Sequence, residues 1–328
     1  MAEQSANSAD DRLARLAAPA VTEAEATPPR HPRGGVAARI FSGPLPWLLP
    51  AVGALALFYL YPIFEAVRLA FTDARLFDTE TQLSMRSINS MVGSSTLGVI
   101  LRNTLTYTVA SVVGQIALGL AIALLVVRAE RARLRGTLVL RTIVLAAWVI
   151  PAIANGIIWQ LLFSEAPFGA INSALRMAGV APVAWLSDPG NAMTSAVIAT
   201  IWQGTAYSMI LLYAALKTID PALYEAAAID NARPWERFWF ITLPHLRAAL
   251  VVNAILILIM TLNMFDTILA LTGGGPGRAT EILSLYAYGT VFQNFELGRG
   301  AALSMLLLVI SLSLTVVLIA LLPRERRG

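Results

Sequence analysis

Residues 103–127, NTLTYTVASVVGQIALGLAIALLVV, contain no Asp, Glu, Lys or Arg. About 20 apolar residues in a helix cross the hydrocarbon core of a bilayer, so this stretch predicts a transmembrane helix. The rest of the chain agrees, because 57% of its 328 residues are hydrophobic and only 13% are charged. Soluble domains carry roughly 25% charged residues. The composition therefore excludes most soluble folds.

Similar apolar stretches predict five further spans, of which the fifth in chain order is interrupted by Asp266. The predicted spans are about 45–64, 103–127, 140–163, 194–216, 248–271 and 300–322. The sequence thus predicts an all-α membrane protein with six transmembrane helices over residues 40–323. We expect a disordered basic tail at 1–39, with an amphipathic helix around 10–18 as the alternative, and a short tail at 324–328.

The basic residues predict which side of the membrane each connection faces. Six spans put both termini on one side, and that side carries 16 of the 24 basic residues. Five lie on the other side and three lie near span ends. The positive-inside rule therefore predicts that both termini are cytoplasmic. The basic isoelectric point, about 9.7, is then a sign of topology, and nucleic acid is not an expected partner.

Two residue types limit the chemistry that this chain can perform. It has no cysteine, which rules out disulfides, thiolate metal sites and cysteine nucleophiles. Its only lysine, Lys217, lacks the glycines of a phosphate-binding loop. Both histidines, His31 and His245, fall outside the predicted spans. We therefore expect no catalytic residues, no metal site and no cofactor in this chain.

The connection 217–247 is predicted to be a helix–turn–helix at the cytoplasmic surface. Asp220-Pro221 is typical of a helix N-cap followed by its first residue. Asn231 tolerates the left-handed conformation that ends a helix, and Pro234 can begin a second one. From the pattern alone, this loop either packs under its own bundle or docks a partner that approaches the small side chains of residues 226–228.

The same loop resembles the EAA loop of binding-protein-dependent ABC importer permeases. The family pattern is E-A-A, three residues, glycine, nine residues and I-x-L-P, and here Asn231 replaces the glycine. Residues 265–267 (FDT), 271–276 (LTGGGP) and 298–304 (GRGAALS) resemble the maltose- and glycerol-phosphate-type (F-type) carbohydrate permeases. This resemblance covers roughly residues 45–323.

The resemblance implies a type I ABC importer permease bundle in a bacterial inner membrane, whose EAA helix is the coupling helix. In the family, this helix lies in a cleft of an ATPase subunit that binds ATP and Mg. The implied ATPase-coupling residues are Glu225, Ala226, Ala227, Asp230 and Asn231. The implied partners are a second homologous permease, two ATPase subunits, an extracytoplasmic sugar-binding protein, a carbohydrate substrate and membrane lipid.

Polar groups within the spans are the candidates for substrate binding, because they are costly in lipid and usually line a cavity. Amides and carboxylates can bind sugar hydroxyls, and aromatic rings can stack on the sugar. The candidates are Trp202, Gly204, Tyr207, Thr261, Asn263 and Asp266. By resemblance, Trp202, Gly204 and Tyr207 match sugar-contacting positions of maltose-type permeases, and the neighbourhood of Asn263 matches a polar segment on the following span.

Each of these residues also has a structural alternative. Trp202 and Tyr207 can be packing aromatics, and Gly204 can mark a close helix contact. Asp266 can lie at the external interface or pair with Arg102 or Arg141. Glu65 and Arg68 are predicted to form a local surface pair.

Three other functions compete with carbohydrate import. An ABC permease for amino acids or peptides is the nearest, and the LTGGGP stretch favours carbohydrate. An ion-coupled secondary transporter would need paired carboxylates and an inverted repeat. A membrane enzyme would need a catalytic cluster inside the spans.

Overall fold

The structure, a computed structural model, describes residues 45–77, 81–320 and 322. Both predicted tails, and the helix considered at 10–18, lie outside the described residues. Apart from a bridge between Thr72 and Leu83, the described residues form helices, turns and loops. The α-helices are α1 (Leu45–Leu55), α2 (Tyr61–Ala70), α3 (Arg86–Val92), α4 (Ser95–Arg131), α5 (Thr137–Val149), α6 (Ala152–Leu162), α7 (Ala170–Met177), α8 (Pro189–Lys217), α9 (Pro221–Ile229), α10 (Pro234–Arg237), α11 (Leu243–Asn263), α12 (Asp266–Leu271), α13 (Leu283–Phe292) and α14 (Leu297–Ala320).

The described residues divide into two units, one that ends at Tyr59 and one that begins at Leu60. In the first unit, α1 leads into a π-helical turn that begins at Ala56. The second unit begins at the end of that turn with α2. On α2, Arg68 Nε donates to Glu65 Oε2 at 2.9 Å, which confirms the predicted surface pair.

Five helical stretches are long and apolar enough to cross a membrane: Trp47–Ala70, Ser95–Arg131, Pro189–Lys217, Pro234–Asn263 and Leu297–Ala320. They correspond to the first, second, fourth, fifth and sixth predicted spans. The number rises to six if α5 and α6 together form one span.

The predicted third span, 140–163, is not a straight helix. α5 and α6 are bent by 103° at Ile150–Pro151. Ile150 has φ −67° and ψ 127°, an extended conformation. A proline disfavours helical geometry in the residue before it and lacks an N–H to donate, so the helix ends there. An apolar run without charges does not reveal this bend, whereas Pro151 does.

The predicted fifth span, 248–271, is also different in the structure. Helical structure begins earlier, at Pro234, and passes through a π-helical turn at Phe238–Thr242 before Pro244. It ends at Asn263, and Met264 is extended, with ψ 110°. α12 then begins at Asp266. Residue 266 is therefore the first residue of a separate short helix and not an interruption within a long one.

The long helices α4 and α8 pack closely along much of their length. A Cβ atom on Gly119 would lie 2.4 Å from Ser208 Cβ and 2.9 Å from the backbone nitrogen of Met209. Glycine is therefore required for this approach, as is common where membrane helices meet. Tyr107 on α4 is fully buried and hydrogen bonds Thr200 on α8, with 2.8 Å between their oxygens. Many of the buried polar side chains among the described residues lie on these two helices.

The connection between α6 and α8 is ordered by two polar side chains. Asn172, which is 1% exposed, bonds the backbone of Val183 in both directions at 3.0 Å. The Glu165 carboxylate accepts from the backbone N–H groups of Leu186 at 3.1 Å and Ser187 at 2.9 Å, and from the Ser187 hydroxyl at 2.8 Å. The backbone and hydroxyl bonds from Ser187 lower the pKa of Glu165 below its ordinary value of 4.5, against the opposing effect of desolvation.

The Glu165→Gln variant is expected to abolish the acid sensitivity of this connection. Because the folded pKa is lowered, the carboxylate contributes stability that is fully present above its ordinary pKa and is lost as pH falls through the folded value. Hydrogen exchange of the Leu186 and Ser187 amides, measured as a function of pH, reports the stability that the carboxylate contributes. The ratio of exchange rates between the variant and the native chain should be high at neutral pH and approach one in acid. A ratio independent of pH would contradict the assignment.

Candidate functional site

A cavity of about 320 Å³ lies where α4, the α5–α6 bend, α8 and the end of α11 meet. We call it the polar cavity. Its lining residues are Gln115, Trp148, Val149, Ile150, Pro151, Ala152, Thr200, Gln203, Gly204, Tyr207, Ile257, Met260, Thr261 and Met264. Three of the six predicted substrate residues, Gly204, Tyr207 and Thr261, are among them. The set offers amides, hydroxyls and aromatic rings, and it contains no Asp, Glu, Lys, Arg or His.

Gln115 lies over Gly204 and reaches Thr261. A Cβ atom on Gly204 would lie 1.8 Å from Gln115 Oε1, so glycine at 204 makes room for the amide. Gln115 Nε2 lies 3.4 Å from Thr261 Oγ1, a long hydrogen bond. Gln115 is only 3% exposed, and this long bond is the one hydrogen bond of its side chain among the described residues. Its amide is therefore available to a ligand that enters the polar cavity.

Gln203 has a different role, because both the nitrogen and the oxygen of its amide hydrogen bond to the protein. Its Nε2 donates to the Ile150 carbonyl at 2.8 Å. Its Oε1 accepts from Asn155 Nδ2 at 3.1 Å. Asn155 is fully buried and also lies 3.3 Å from the Ala199 carbonyl. These bonds satisfy the carbonyl that the Ile150–Pro151 bend leaves free and hold the bend against α8.

Aromatic rings form one wall of the polar cavity. The Trp148 and Tyr207 rings are 6.1 Å apart at an interplanar angle of 42°. Trp148 lies in the last turn of α5 just before the bend, and Tyr207 lies one turn beyond Gln203 on α8. Tyr207 is thus both a cavity residue and a packing aromatic.

The other three predicted substrate residues do not line the polar cavity. Trp202 packs edge-on against Trp159 at 6.0 Å, which agrees with the packing alternative. Asn263 is exposed, and its Nδ2 donates to the Ile259 carbonyl at 2.8 Å. Asp266 is half-buried in the first turn of α12.

Among the described residues, the structure does not show the alternative in which Asp266 pairs with an arginine. Arg141 instead lies 3.6 Å from Glu130, which also accepts from Tyr213 at 2.8 Å and from Lys217 at 3.2 Å. Asp266 forms no ion pair with Arg102 or with any other described residue.

Sequence reasoning missed Gln115, Thr200, Gln203 and Trp148. A signal was present for the two glutamines, because an amide inside a span is as costly in lipid as the groups that were chosen. Gln115 lies on the second predicted span and Gln203 on the fourth. Nothing in the sequence indicates that Trp148 meets Tyr207, because that contact depends on the bend at Pro151.

The second candidate region is the EAA loop, and its predicted helix is present as α9. The Asp220 side chain accepts from the Ala222 N–H at 2.9 Å, which confirms the N-cap. Asn231 has φ 55°, as its tolerance of the left-handed region suggested. The Asn231 N–H donates to the Ala228 carbonyl and the Ala232 N–H to the Ala227 carbonyl, at 3.1 and 2.9 Å. This pair of bonds is a Schellman motif.

The predicted ATPase-coupling residues lie on an outward-facing part of this helix. Glu225, Ala226, Asp230 and Asn231 are exposed, and Ala227 is half-buried. The opposite side is anchored through Tyr224, whose hydroxyl lies 2.9 Å from Thr242 Oγ1 and whose ring lies 4.5 Å from the Arg131 guanidinium carbon. The helix is therefore both fixed to the bundle and accessible to another protein.

The predicted second helix of this loop differs in extent. α10 is the beginning of the long stretch Pro234–Asn263 and not a separate surface helix. Trp235 and Trp239 stack edge-to-face at 5.2 Å and are 66% and 45% exposed. Aromatic residues of this kind are typical of the membrane–water interface.

The Asn231→Val variant is expected to destabilise the loop, whereas Asn231→Gly is not. A β-branched residue in the left-handed region costs about 1–2 kcal/mol, and glycine adopts it freely. Hydrogen exchange of the Ala232 amide, which closes the Schellman motif, measures the difference. Equal protection in the two variants would mean that the turn does not depend on this conformation.

Residues 115–327 match the family of binding-protein-dependent transport system inner membrane components. The chain belongs to this family. It is therefore a multi-pass membrane component of an ABC-type transport system, as the EAA loop and the apolar helices suggested. The match begins at Gln115 and includes the polar cavity and α9.

Two relatives and one solved structure extend the comparison. The chain is 42% identical over 214 residues to the trehalose/maltose transport system permease protein MalF of Thermococcus litoralis, which covers 65% of this chain and 70% of the relative. It is 33% identical over 256 residues to the lactose transport system permease protein LacF of Rhizobium radiobacter. This alignment covers 75% of this chain and 83% of the relative. A bacterial ABC transporter involved in alginate import has the same fold, with a TM-score of 0.74 at 21% identity over 88% of this chain and 98% of that one.

Proposed function

We propose that this chain is the membrane-spanning subunit of an ATP-driven importer for an uncharged carbohydrate. The observation that carries the proposal is the polar cavity, because it combines amide and hydroxyl groups with two aromatic rings. Such groups bind sugar hydroxyls and the apolar face of a sugar ring. The names of the relatives, which include permeases for trehalose/maltose and lactose, support the same substrate class.

The lining of the polar cavity disfavours charged substrates. Burying an ammonium, carboxylate or phosphate group away from water is costly unless an opposite charge pairs with it. No residue that lines the cavity could supply that charge. Among the substrates considered from the sequence, neutral mono- or oligosaccharides and polyols therefore fit better than amino acids or glycerol phosphate.

The proposed mechanism is alternating access coupled to a separate ATPase. The exposed helix α9 docks in the ATPase subunit, which binds ATP and Mg, and transmits its closure to the bundle. A second homologous permease, two ATPase subunits and an extracytoplasmic sugar-binding protein complete the transporter. The excess of basic residues on one side supports cytoplasmic termini. In this proposal the chain translocates substrate and performs no catalysis.

The proposal is tested with the complete transporter reconstituted in vesicles. A panel of neutral disaccharides, polyols, uronic acids, sugar phosphates and amino acids is first screened against the binding protein by thermal shift. Each ligand that binds is then tested for stimulation of ATP hydrolysis and for uptake. We expect a neutral carbohydrate to stimulate both. Uptake of an amino acid would overturn the proposal, and so would a rate of ATP hydrolysis that no carbohydrate in the panel increases.

A further inference from the structure

A second cavity, of about 420 Å³, lies between the ends of α4 and α8 and the beginning of the stretch that leads into α11. We call it the arginine pocket. Its lining residues are Leu124, Val127, Arg128, Arg131, Leu216, Tyr224, Pro234, Arg237, Phe238 and Thr242. Three of these residues are arginines and none is acidic. The other lining residues are mostly apolar, so the pocket combines a positively charged region with a hydrophobic wall.

The three guanidinium groups lack a carboxylate partner within the described part of the chain. Arg131 stacks on the Tyr224 ring, and Arg237 Nε donates to the Ala232 carbonyl at 2.9 Å. Arg128 is exposed, and its guanidinium makes no hydrogen bond to the protein among the described residues. Positive charges that line one cavity repel one another, so an anion between them would be bound favourably.

The position of the arginine pocket favours a lipid as the source of that anion. Trp235 and Trp239, adjacent to Pro234 and Phe238 of the pocket, are exposed aromatics of the kind that lie at headgroup depth. Leu124, Val127 and Leu216 belong to helices that continue into the apolar bundle. Basic pockets between membrane helices on the cytoplasmic side suit anionic lipid headgroups.

We propose that the arginine pocket binds the phosphodiester headgroup of an anionic phospholipid, with an acyl chain along the apolar wall. The headgroup would link Arg128 on α4 with Arg237 on α10. Arg237 bonds Ala232, the residue that closes the turn after α9. The lipid would thus stiffen the connection between the coupling helix and the bundle. Binding itself does not depend on the proposed substrate.

The test measures phosphatidylglycerol binding to the full-length chain by native mass spectrometry, during titration into neutral detergent micelles. Arg128→Gln is the cleanest variant, since Arg128 has no described protein partner to lose. Arg135→Gln, an exposed arginine beyond the end of α4 and outside the pocket, is the matched control. We expect Arg128→Gln to weaken binding about five-fold, Arg128→Lys to restore part of it, and Arg135→Gln to leave it unchanged.

Three outcomes would overturn the proposal. Equal loss in the two glutamine variants would indicate general surface attraction instead of a pocket. Displacement of the lipid by inorganic phosphate would indicate a site for a free anion. Loss of phosphatidylglycerol when the ATPase subunit is added would indicate that an acidic group of that protein occupies the pocket.

Discussion

Replacing Ala226 with tryptophan is expected to abolish import while leaving the chain folded in the membrane. Ala226 is exposed on α9, a helix whose N-cap and Schellman motif hold its own backbone in place. A partner cleft that accommodates this methyl group would have to open to accept an indole ring. Overpacking costs about 1–3 kcal/mol, which weakens the ATPase–permease contact by a factor of about 5 to 150.

The measurements separate docking from folding. Co-purification of the ATPase subunit reports the contact, substrate uptake reports coupling, and thermal unfolding in detergent reports the fold. Ala248→Trp is the matched control, because Ala248 is also exposed but lies on α11 beyond the loop. We expect the control to keep both docking and uptake. Normal ATPase docking and uptake in the Ala226→Trp variant would show that α9 is not the coupling helix.

The local features of this loop could be predicted because they depend on neighbouring residues. Asp220 caps the first turn of α9 and Pro221 fits its first position. Asn231 ends the helix by adopting positive φ. The bend at Ile150–Pro151 has a similar local cause. The apolar run around it has the length of a single span, and hydropathy does not indicate where a helix bends.

The polar cavity could be predicted only in part, because it depends on which faces of apolar helices meet. Trp202 and Gly204 are two residues apart on α8, so they point in different directions. A polar residue within a span indicates a buried face, but it does not indicate which other helix that face meets. Gln115 comes to lie against Gly204 only through the packing of α4 on α8. That packing is a tertiary contact, and the sequence of one span alone does not predict it.

Substituting methionine for Gln115 is expected to impair transport without destabilising the bundle. Methionine has nearly the shape of glutamine but donates no hydrogen bond. The only described hydrogen bond of Gln115 is the long one to Thr261, so little native structure is lost. A hydrogen bond to a ligand contributes about 0.5–1.5 kcal/mol. Half-saturation of uptake should therefore rise about two- to twelve-fold, with unchanged thermal stability.

Gln203→Met is the matched comparison, because the same substitution is made in the same cavity with the opposite expected result. It removes the bond to the Ile150 carbonyl at 2.8 Å and the bond at 3.1 Å from Asn155, which is fully buried. The expected cost is about 1–3 kcal/mol of unfolding free energy, which should appear as a lower melting temperature in detergent. If Gln115→Met were the destabilising variant and left uptake unaffected, then Gln115 would be a packing residue and the substrate would bind elsewhere.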